Sequence, residues 1–448
     1  MNVAAVHVET EFKFRLPQNV ELPSFPHSLG SWASESVRNM DATYWDTTNA
    51  TLLRWGITMR IRSGGGDDGW HLKIPVSSSE TDTGASVRTE LHRDASSATP
   101  PVEFLELLST ILQGAEVVPV ARVETQRKPR LLSDARGASI ELVDDLVTLS
   151  QGDKIIDTFR EIEIELRSDA ALPEALVIGE ILLNAGAQTS SVSKAASAFG
   201  PAAQKQPDIP RLPRPGKGDL PCDLIRWALA RQVRSIFQAE LTSRITNETP
   251  PLTSELTNLV DLLNALKNWL NEPELEFVRE DLTWLIQELS MASELTHQHE
   301  HVLAFLGSLS DPGDQRDAMT GADLYFASKG EAARSSVQAA RRSDRYLLLF
   351  NDLIHLSRAP AVTSQAYERN SIWVNISPNP CDQLTIAHHF KDIFKKKSRH
   401  IHKNFVCPRK AAQPVDLQGI IRAIALSGNN SPAAIFALGL AANGRKLE

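Results

Sequence analysis

The segment Glu9-Thr10-Glu11-Phe12-Lys13 places three charged side chains at every second position. Side chains on a β-strand alternate between its two faces, so Glu9, Glu11 and Lys13 share one face and Phe12 lies on the other. Such a strand fits two settings: a protein surface with its charges in water, or the wall of a polar tunnel. For this pentapeptide alone, the surface is the simpler interpretation.

The same alternation recurs through the first two hundred residues, with acidic faces in some segments and cationic faces in others. The charged members are Arg60, Arg62, Lys73, Arg88, Glu90, Glu141, Asp145, Glu161, Glu163 and Glu165. A sheet that closes into a barrel with these charges inside would explain the pattern, because buried charges must be paired or bind a ligand. Such a lumen suits a polyanion that arrives with a divalent metal, since cations hold phosphate oxygens and carboxylates hold Mg²⁺ or Mn²⁺.

The fold class that follows is α+β for the N-terminal part, with an antiparallel β-barrel or tunnel. The predicted strands are 6–15, 40–46, 57–63, 69–76, 86–92, 120–126, 138–149 and 159–167. Helices are predicted at 103–113 and 173–186. The cluster of glycine and aspartate at 63–69 predicts a hairpin loop.

A proline-rich stretch at 201–221 predicts a linker between an N-terminal domain, 1–200, and a C-terminal domain, 222–448. Proline removes backbone donors and stiffens an extended chain. Beyond the linker, apolar residues recur at helical spacing, so this half is predicted to be an all-α helical bundle. The predicted helical segments are 223–246, 252–271, 276–308, 330–357, 382–405 and 415–427. Leu259, Leu262, Leu263, Leu266 and Leu270 form one apolar stripe.

Composition narrows the class of protein. The 448 residues are 42% apolar with a net charge of −8, which gives no general attraction to nucleic acid. The first twenty residues lack the apolar run of a secretory signal, and no stretch approaches the length of a membrane span. Three widely spaced cysteines fit a reducing compartment better than a disulfide scaffold. The sequence therefore predicts a cytoplasmic protein with neither a membrane nor a nucleic-acid partner.

An ordered set of motifs resembles the CYTH domain, the triphosphate tunnel metalloenzyme fold. They are the Glu-x-Glu-x-Lys segment at 9–13, Tyr44-Trp45-Asp46-Thr47, Gly56 to Arg62, Gly69 to Lys73, Arg88-Thr89-Glu90, Thr125-Gln126-Arg127, Val143 to Val147, Arg160 to Glu165, and Ser193-Lys194. The resemblance covers about residues 6 to 200. Members of this family include inorganic triphosphatases, thiamine triphosphatases and class IV adenylyl cyclases.

The resemblance implies roles for particular residues. Substrate phosphates would be bound by Lys13, Arg60, Arg62, Lys73, Arg88, Arg127 and Lys194, of which Lys13, Arg60 and Arg62 would be catalytic. The metal ligands would be Glu9, Glu11, Glu90, Asp145, Glu161 and Glu163. Alternatives stay open: Asp144 for Asp145, Arg122 or Arg130 for Arg127, and Glu165 as an additional ligand. Outside the resemblance, Lys194 is an ordinary solvated lysine.

These seven cations and six carboxylates sum to about +1, and two Mg²⁺ ions would bring the tunnel to about +5, matching a triphosphate of about −5. The metal is therefore expected to be obligatory. Water would attack a terminal phosphorus in line, with one metal bridging the substrate and a second lowering the pKa of the water. The predicted activity is hydrolysis of inorganic triphosphate (tripolyphosphate) to diphosphate and phosphate. Thiamine triphosphate or ATP as substrate, and class IV adenylyl cyclase chemistry, are the alternatives within the enzyme class.

A helical region after a CYTH domain resembles the CHAD arrangement, whose members bind polyphosphate through basic helices. Here the matching helix, Leu252 to Leu270, has only Lys267 as a base, so the domain resembles a degenerate CHAD and this helix is expected to pack. Two basic segments remain, 341–345 and 388–403. A polyphosphate or nucleic-acid face and a solvated helix surface explain them equally well. A non-catalytic protein that binds long-chain polyphosphate is therefore the competing hypothesis. His297 and His301, one helical turn apart, lack an evident third metal ligand, and a solvated helix is the simpler interpretation.

Overall fold

The computed structural model describes residues 6–75, 85–134, 139–190, 194–199, 207–216, 218–307, 312–368, 379–391, 393 and 395–404. The chain divides into two units, Met1–Asp208 and Ile209–Glu448. No helix in these ranges is both long and apolar enough to cross a membrane.

The N-terminal unit is built on antiparallel strands. They are β1 (Val6–Arg15), β2 (Ser31–Ser34), β3 (Arg38–Asp46), β4 (Thr58–Ser63), β5 (Gly69–Pro75), β6 (Ser86–Arg93), β7 (Val118–Ser133), β8 (Ser139–Gln151), β9 (Lys154–Leu166) and β10 (Gln188–Thr189). Eight of them pair in the order β1-β6-β5-β4-β3-β7-β8-β9, and β9 pairs back onto β1. The sheet is therefore a closed ring, which confirms the predicted antiparallel barrel.

The first strand closes the ring because its two halves pair with different neighbours. Val6 to Glu11 pair with β6, and Thr10 to Arg15 pair with β9. Its apolar face points outward, where Phe12 and Phe14 pack in a buried cluster with Ile178 and other residues. Because the apolar side is covered from outside, the charged side faces the lumen.

Short helices accompany the barrel: α1 (Thr51–Arg54), α2 (Val102–Leu107), α3 (Ser109–Leu112), α4 (Leu172–Asn184) and α5 (Lys194–Phe199). Helix α4 supplies Ile178 and Leu182 to the cluster that contains Phe14. Its Gly179 lies so close to the ring of Phe14 that an added Cβ would be 3.1 Å from that ring. The absence of a side chain at Gly179 therefore lets this helix lie tightly against the outer face of the first strand.

The β4–β5 hairpin turns through residues with positive φ, as the glycine-rich sequence predicts. Gly64 has φ +85° and Gly66 has φ +90°, a conformation that glycine adopts without strain. At Gly64 the backbone of a neighbouring strand is also close, since an added Cβ would lie 2.1 Å from the carbonyl oxygen of Asn39. This turn brings Arg62 of β4 and Lys73 of β5 onto the same lumen wall.

The C-terminal unit is helical over its described residues, as the sequence predicts. Its helices are α6 (Pro221–Thr246), α7 (Pro250–Ala265), α8 (Glu272–Gly307), α9 (Pro312–Arg341), α10 (Asp344–Arg358), α11 (Pro380–His389) and α12 (Lys395–Asn404). The apolar stripe from Leu259 to Leu270 is buried, which confirms that this segment packs. The segment predicted at 415–427 lies outside the described residues.

Two predicted helical segments of the C-terminal unit are each divided in the structure, as the predicted helix 103–113 is divided into α2 and α3. The segment 330–357 breaks between α9 and α10, because the Ser343 side chain accepts a hydrogen bond from the backbone N–H of Tyr346 and caps a new helix. The segment 382–405 is divided into α11 and α12. Cys222 is a free thiol and Cys381 is disulfide-bonded, so the sparse cysteines include a disulfide that the sequence analysis did not anticipate.

Candidate active site

The barrel encloses a cavity of about 520 Å³ with a strongly charged wall. All seven predicted phosphate-binding cations line it, together with two that the sequence analysis did not single out. The cationic lining residues are Lys13, Arg38, Arg60, Arg62, Lys73, Arg88, Arg127, Arg167 and Lys194. The acidic lining residues are Glu9, Asp67, Glu90, Glu141, Glu163 and Glu165. Glu11, Asp145 and Glu161, which contact the lining lysines Lys13 and Lys194, bring the acidic side chains to nine, so the described charges of the tunnel balance without metal.

One group of carboxylates surrounds the side chain of Lys194, the first residue of α5. Its Nζ lies 3.0 Å from Asp145, 2.8 Å from Glu161 and 3.0 Å from Glu163. The carboxylates converge because β8 and β9 are paired with Asp145 opposite Glu161. Asp145 and Glu161 have no exposed surface, and Lys194 is also buried. We name this group the Lys194 cage.

Arg127 and Lys13 bind the same carboxylates from other directions. Arg127 donates through Nε and Nη2 to the two oxygens of Asp145, at 2.9 and 2.8 Å, and through Nη2 to Glu163 at 2.9 Å. Lys13 donates to Glu163 at 2.9 Å. Burial alone would raise the pKa of Glu163, but Lys13, Lys194 and Arg127 together hold that pKa well below its usual range. Glu163 is therefore ionised, and its carboxylate oxygens already accept hydrogen bonds from Lys13, Lys194 and Arg127.

Glu9 and Glu90 interact with the cation of β5. Lys73 donates to Glu9 and lies 3.6 Å from Glu90. His71, on the same face of β5, places Nδ1 2.9 Å from Glu90 and Nε2 2.9 Å from the carbonyl oxygen of Asp67. Both partners of this ring are acceptors, so both contacts are hydrogen bonds only when the ring carries two protons. Burial would raise the pKa of Glu90, but His71, Lys73 and Arg60 lower it strongly.

Arg60 and Arg88 differ from the other tunnel cations. Arg60 donates to the hydroxyl of Tyr44 at 3.2 Å, and Arg88 donates to the Ser86 hydroxyl at 3.2 Å. Among the described residues, neither guanidinium forms an ion pair with a carboxylate. Both line the cavity, so their remaining donors are available to an anionic ligand.

Arg62 is the most deeply buried arginine of β4, with 8% of its surface exposed, and it pairs with Asp67 of the hairpin loop. Burial, aided by the charge of Arg60, lowers the pKa of Arg62 to about 10. The guanidinium therefore keeps its charge at neutral pH. A further anion in the cavity would favour that charge, because an opposite charge nearby stabilises the ionised form.

A second group of carboxylates could hold a metal ion. Glu9, Glu11 and Glu165 each place an oxygen within 4.8 Å of the others. We name this group the Glu9 cluster. Among the described residues, the buried Oε1 of Glu11 accepts no hydrogen bond, although Lys13 lies 3.2 Å away. Burial, followed by the charge of Glu9, raises the pKa of Glu165 to about 8. A divalent cation would relieve both features, so these oxygen ligands fit Mg²⁺ or Mn²⁺.

The six predicted metal ligands thus fall into three settings. Glu9 and Glu11 belong to the Glu9 cluster, together with Glu165, which the sequence left as an additional candidate. Asp145, Glu161 and Glu163 form the Lys194 cage, and Glu90 pairs with His71 and Lys73.

The structure also places the alternatives that the sequence left open. Asp144 points away from the lumen and forms a two-point ion pair with Arg160, with both contacts at 2.7 Å, so the residue in the tunnel is Asp145. Arg122 lies outside, paired with Asp41, and Arg130 is exposed. Arg127 is therefore the member of that strand that faces the cavity.

Several residues at the site were missed as functional candidates. Tyr44 contacts Arg60 and His71 contacts Glu90, although an aromatic ring in a strand usually indicates a core residue. Asp67 lies in the hairpin loop, where an acid usually signals only a turn. Arg167 pairs with Glu141 just beyond β9, and its position two residues after Glu165 continues the alternation. This two-residue alternation is the sequence signal that could have identified Arg167.

Asp46 of the Tyr44-Trp45-Asp46-Thr47 motif has a structural role. Its two carboxylate oxygens accept hydrogen bonds from the backbone N–H groups of Thr47, Leu52 and Leu53, at 2.6, 2.8 and 2.9 Å. The side chain therefore caps the first turn of α1 and fixes the end of β3.

In the helical unit, each basic segment is partly engaged inside the protein, whereas Lys391, Lys395 and Arg399 of the segment 388–403 are exposed. Arg341 is buried and donates to Ser243, and Arg345 pairs with Asp281 over the ring of Trp284. In the segment 388–403, the side chains of His389, Phe390, Ile393 and Ile401 are buried. His297 and His301 stack edge to face, with ring centroids 4.4 Å apart. Among the described residues, no metal-ligand group of three includes them.

The closed antiparallel barrel and its charged lumen define a tunnel inside the sheet. Comparison with known families agrees, because residues 7–197 match the CYTH domain. These residues are therefore a CYTH domain, a family whose members typically catalyse phosphoryl transfer or hydrolysis.

Individual relatives share parts of the chain. Two Mycobacterium tuberculosis strains have relatives, Rv2226 and MT2285, that are each 28% identical over 305 residues, covering 64% of this chain and 56% of the relative. This chain thus spans little more than half the length of those relatives. Among solved structures, PptA from Streptomyces chartreusis is 16% identical with a TM-score of 0.37, covering 50% of this chain and 93% of its own. HpAC1 from Hippeastrum, for which a dominant triphosphatase activity is described, is 19% identical with a TM-score of 0.25, covering 43% of this chain and 96% of its own.

Proposed function

We propose that the N-terminal unit hydrolyses inorganic triphosphate to diphosphate and phosphate, with a divalent metal ion, inside the tunnel. The observation that carries this proposal is the pair Arg60 and Arg88, which line the cavity without a carboxylate partner among the described residues. Most other cations of the wall are already paired. Two guanidinium groups with spare donors in an enclosed space are suited to phosphate oxygens.

The cavity wall favours an inorganic substrate over an organic one. Its described side chains are nearly all charged or polar, and Met40 and Tyr44 are the largest apolar surfaces among them. Tyr44 is already engaged through its hydroxyl with Arg60. A nucleobase or a thiamine ring would need an apolar or aromatic surface to stack on, as small-molecule sites usually provide. We therefore rank tripolyphosphate above ATP and thiamine triphosphate.

The metal ion would be held by Glu9, Glu11 and Glu165. When bound, it would neutralise phosphate charge and activate water as a Lewis acid. We base the metal requirement on this cluster, because the buried Oε1 of Glu11 accepts no hydrogen bond from the described residues and burial raises the pKa of Glu165 to about 8.

The chain's own residues supply binding and charge stabilisation. Arg60, Arg88 and Arg62 would hold the non-bridging oxygens and stabilise the charge that develops on them. Lys13 and Lys73, each bound to a carboxylate, would keep the acidic side chains ionised and in place. The barrel wall restricts bulk water around the phosphates, which strengthens each of these electrostatic contacts.

The resemblance of the C-terminal unit to a degenerate CHAD domain stays a prediction. The cytoplasmic location of the protein is also still a prediction. The burial of Leu259 and Leu262 supports a packing role for α7. The partners of Arg341 and Arg345 leave the segment 341–345 poorly suited to a polyanion.

The test is a side-by-side assay of the purified full chain with tripolyphosphate, thiamine triphosphate and ATP, each with Mg²⁺. We expect tripolyphosphate to be turned over at least tenfold more efficiently than the other two, with phosphate and diphosphate in equal amounts. A preference for either organic substrate would contradict the ranking. Cyclic AMP as the main product from ATP, or tight polyphosphate binding without turnover, would overturn the proposed activity.

A further inference from the structure

Lys194 enters the tunnel from outside the barrel strands. It begins α5, which packs against β7, β8 and β9, and Arg15 donates to Ser197 of the same helix at 3.0 Å. Among the described cations, the Lys194 ammonium alone contacts all three carboxylates of the cage, at 2.8 to 3.0 Å. It therefore lies where the oxygen atoms of Asp145, Glu161 and Glu163 converge.

The three carboxylates do not depend on Lys194 equally. Asp145 and Glu163 also receive hydrogen bonds from Arg127. Glu161 has no exposed surface, and the second described cation within 4 Å of it, Arg15, is 3.7 Å away. Because a buried carboxylate needs a partner, Glu161 requires a cation at the position of Lys194 Nζ.

We propose that Lys194 sets the number of metal ions in the tunnel: its ammonium fills the cage of Asp145, Glu161 and Glu163 and excludes a divalent ion, so metal binds only at the Glu9 cluster. This inference rests on the proposed function only in assuming that the tunnel binds metal. It revises the ligand set, since Asp145, Glu161 and Glu163 become partners of a lysine. It also replaces the second metal ion with a side chain.

The physical reason is that an ammonium and a divalent ion cannot share the cage. Mg²⁺ needs oxygen ligands at about 2.0–2.1 Å and Ca²⁺ at about 2.3–2.6 Å, so either would have to lie near the point that Nζ occupies. Like charges at such short range repel strongly when water is excluded. The chain already supplies the cation, and the metal would first have to expel it.

The experiment counts Mn²⁺ ions bound to the full chain by isothermal titration calorimetry without substrate. We expect one ion in the unmodified protein and two in Lys194→Met, because removing the ammonium opens the cage. Lys194→Arg keeps the positive charge and should bind one ion. Lys329→Met, which removes an exposed lysine of α9, is the matched control and should also bind one.

Two ions in the unmodified protein, or no additional ion in Lys194→Met, would overturn the proposal. No ion in the unmodified protein would refute the metal requirement of the proposed function, while an ion gained in Lys194→Met would still support exclusion by Lys194. The count does not depend on which triphosphate is hydrolysed, so failure of the substrate assignment is seen separately.

A second measurement applies if Lys194→Met does not fold. Glu161→Gln in the unmodified background should leave the Mn²⁺ affinity within about threefold, because this residue faces Lys194 and not the metal. Glu11→Gln, the corresponding change in the Glu9 cluster, should weaken Mn²⁺ binding at least tenfold. A tenfold loss in Glu161→Gln would overturn the proposal.

Discussion

Among the tunnel residues, Glu165 should make the stability of the metal-free protein depend on pH. Burial, followed by the charge of Glu9, raises its pKa from the ordinary 4.5 to about 8. Between these values the native state keeps a proton that the unfolded chain releases. This side chain therefore lowers the free energy of unfolding as pH rises from about 4.5 to 8, by up to about 1.4 kcal/mol per pH unit.

We predict that Glu165→Gln, which resembles the protonated acid, unfolds at about the same denaturant concentration as the unmodified protein at pH 5. At pH 9 the variant should be more stable. The measurement is urea unfolding in EDTA at both pH values, with Glu124→Gln on the exposed side of β7 as the control. An equal difference between variant and parent at pH 5 and pH 9 would rule out the shifted carboxyl.

Much of the site at residue scale could be predicted from the sequence, because alternation is a local property of a strand. Glu9, Glu11 and Lys13 face the lumen for the same reason that Phe12 does not. Which acid meets which base is not local. The contact between Lys13 and Glu163 joins residues 150 positions apart, and it depends on the register of β1 against β9.

At the scale of elements, the hairpin between β4 and β5 offers a matched pair of glycines. Gly64 and Gly66 both have positive φ, so backbone strain from an alanine at either site would destabilise the folded state by roughly 1–2 kcal/mol. Only at Gly64 would the new Cβ also meet backbone, 2.1 Å from the Asn39 carbonyl oxygen. At Gly66 no atom lies within 4 Å of that position.

Gly64→Ala should therefore lower the free energy of unfolding by roughly 1–3 kcal/mol more than Gly66→Ala does. It should also reduce turnover, since the displaced hairpin carries Arg62 and Asp67. Chemical denaturation and a phosphate-release assay on both variants measure these effects. Equal destabilisation by the two substitutions would contradict this prediction, because it would mean that the backbone at Asn39 moves away from the new Cβ at little cost.

Helix boundaries show where prediction from sequence reached its limit at this scale. The apolar spacing of 330–357 continues through the break at Ser343, where the Ser343 side chain accepts a hydrogen bond from the backbone N–H of Tyr346 and starts the next helix. Asp46 is a comparable case, because an acid at the end of β3 could have faced the lumen. Its three backbone hydrogen bonds instead make it a cap for α1.

At the scale of the whole molecule, the charges act together only because the sheet closes. An open sheet with the same strands would leave Glu11, Arg62 and Glu163 in water, spread across one face. Pairing of β9 with β1 encloses them, and burial then strengthens each charge interaction. The alternating charges predicted that the sheet closes into a barrel. The order of the strands around that barrel could not be predicted from the sequence.

The division into two units also bears on function. The CYTH match, 7–197, lies within the first unit, and every residue assigned to the active site belongs to it. The second unit is helical over its described residues, as predicted, and its leucine stripe from Leu259 to Leu270 is buried. Its basic segments could not be judged from sequence, because a charged helix face and an internal ion pair such as Arg345–Asp281 have the same local pattern.

The central claim is that charges inside the tunnel, and not those outside it, carry out hydrolysis of triphosphate. The most direct measurement is phosphate release from tripolyphosphate with Mg²⁺ by two pairs of variants. Arg60→Ala and Glu11→Ala alter the lumen, whereas Arg122→Ala and Glu124→Ala remove the same residue types from the outer surface.

We predict that both lumen variants remain folded and lose at least about 100-fold in kcat/KM, since each removes a group that acts on the phosphates or the metal. The two surface variants should retain turnover within about twofold of the parent. Near-normal hydrolysis by both Arg60→Ala and Glu11→Ala would contradict the account.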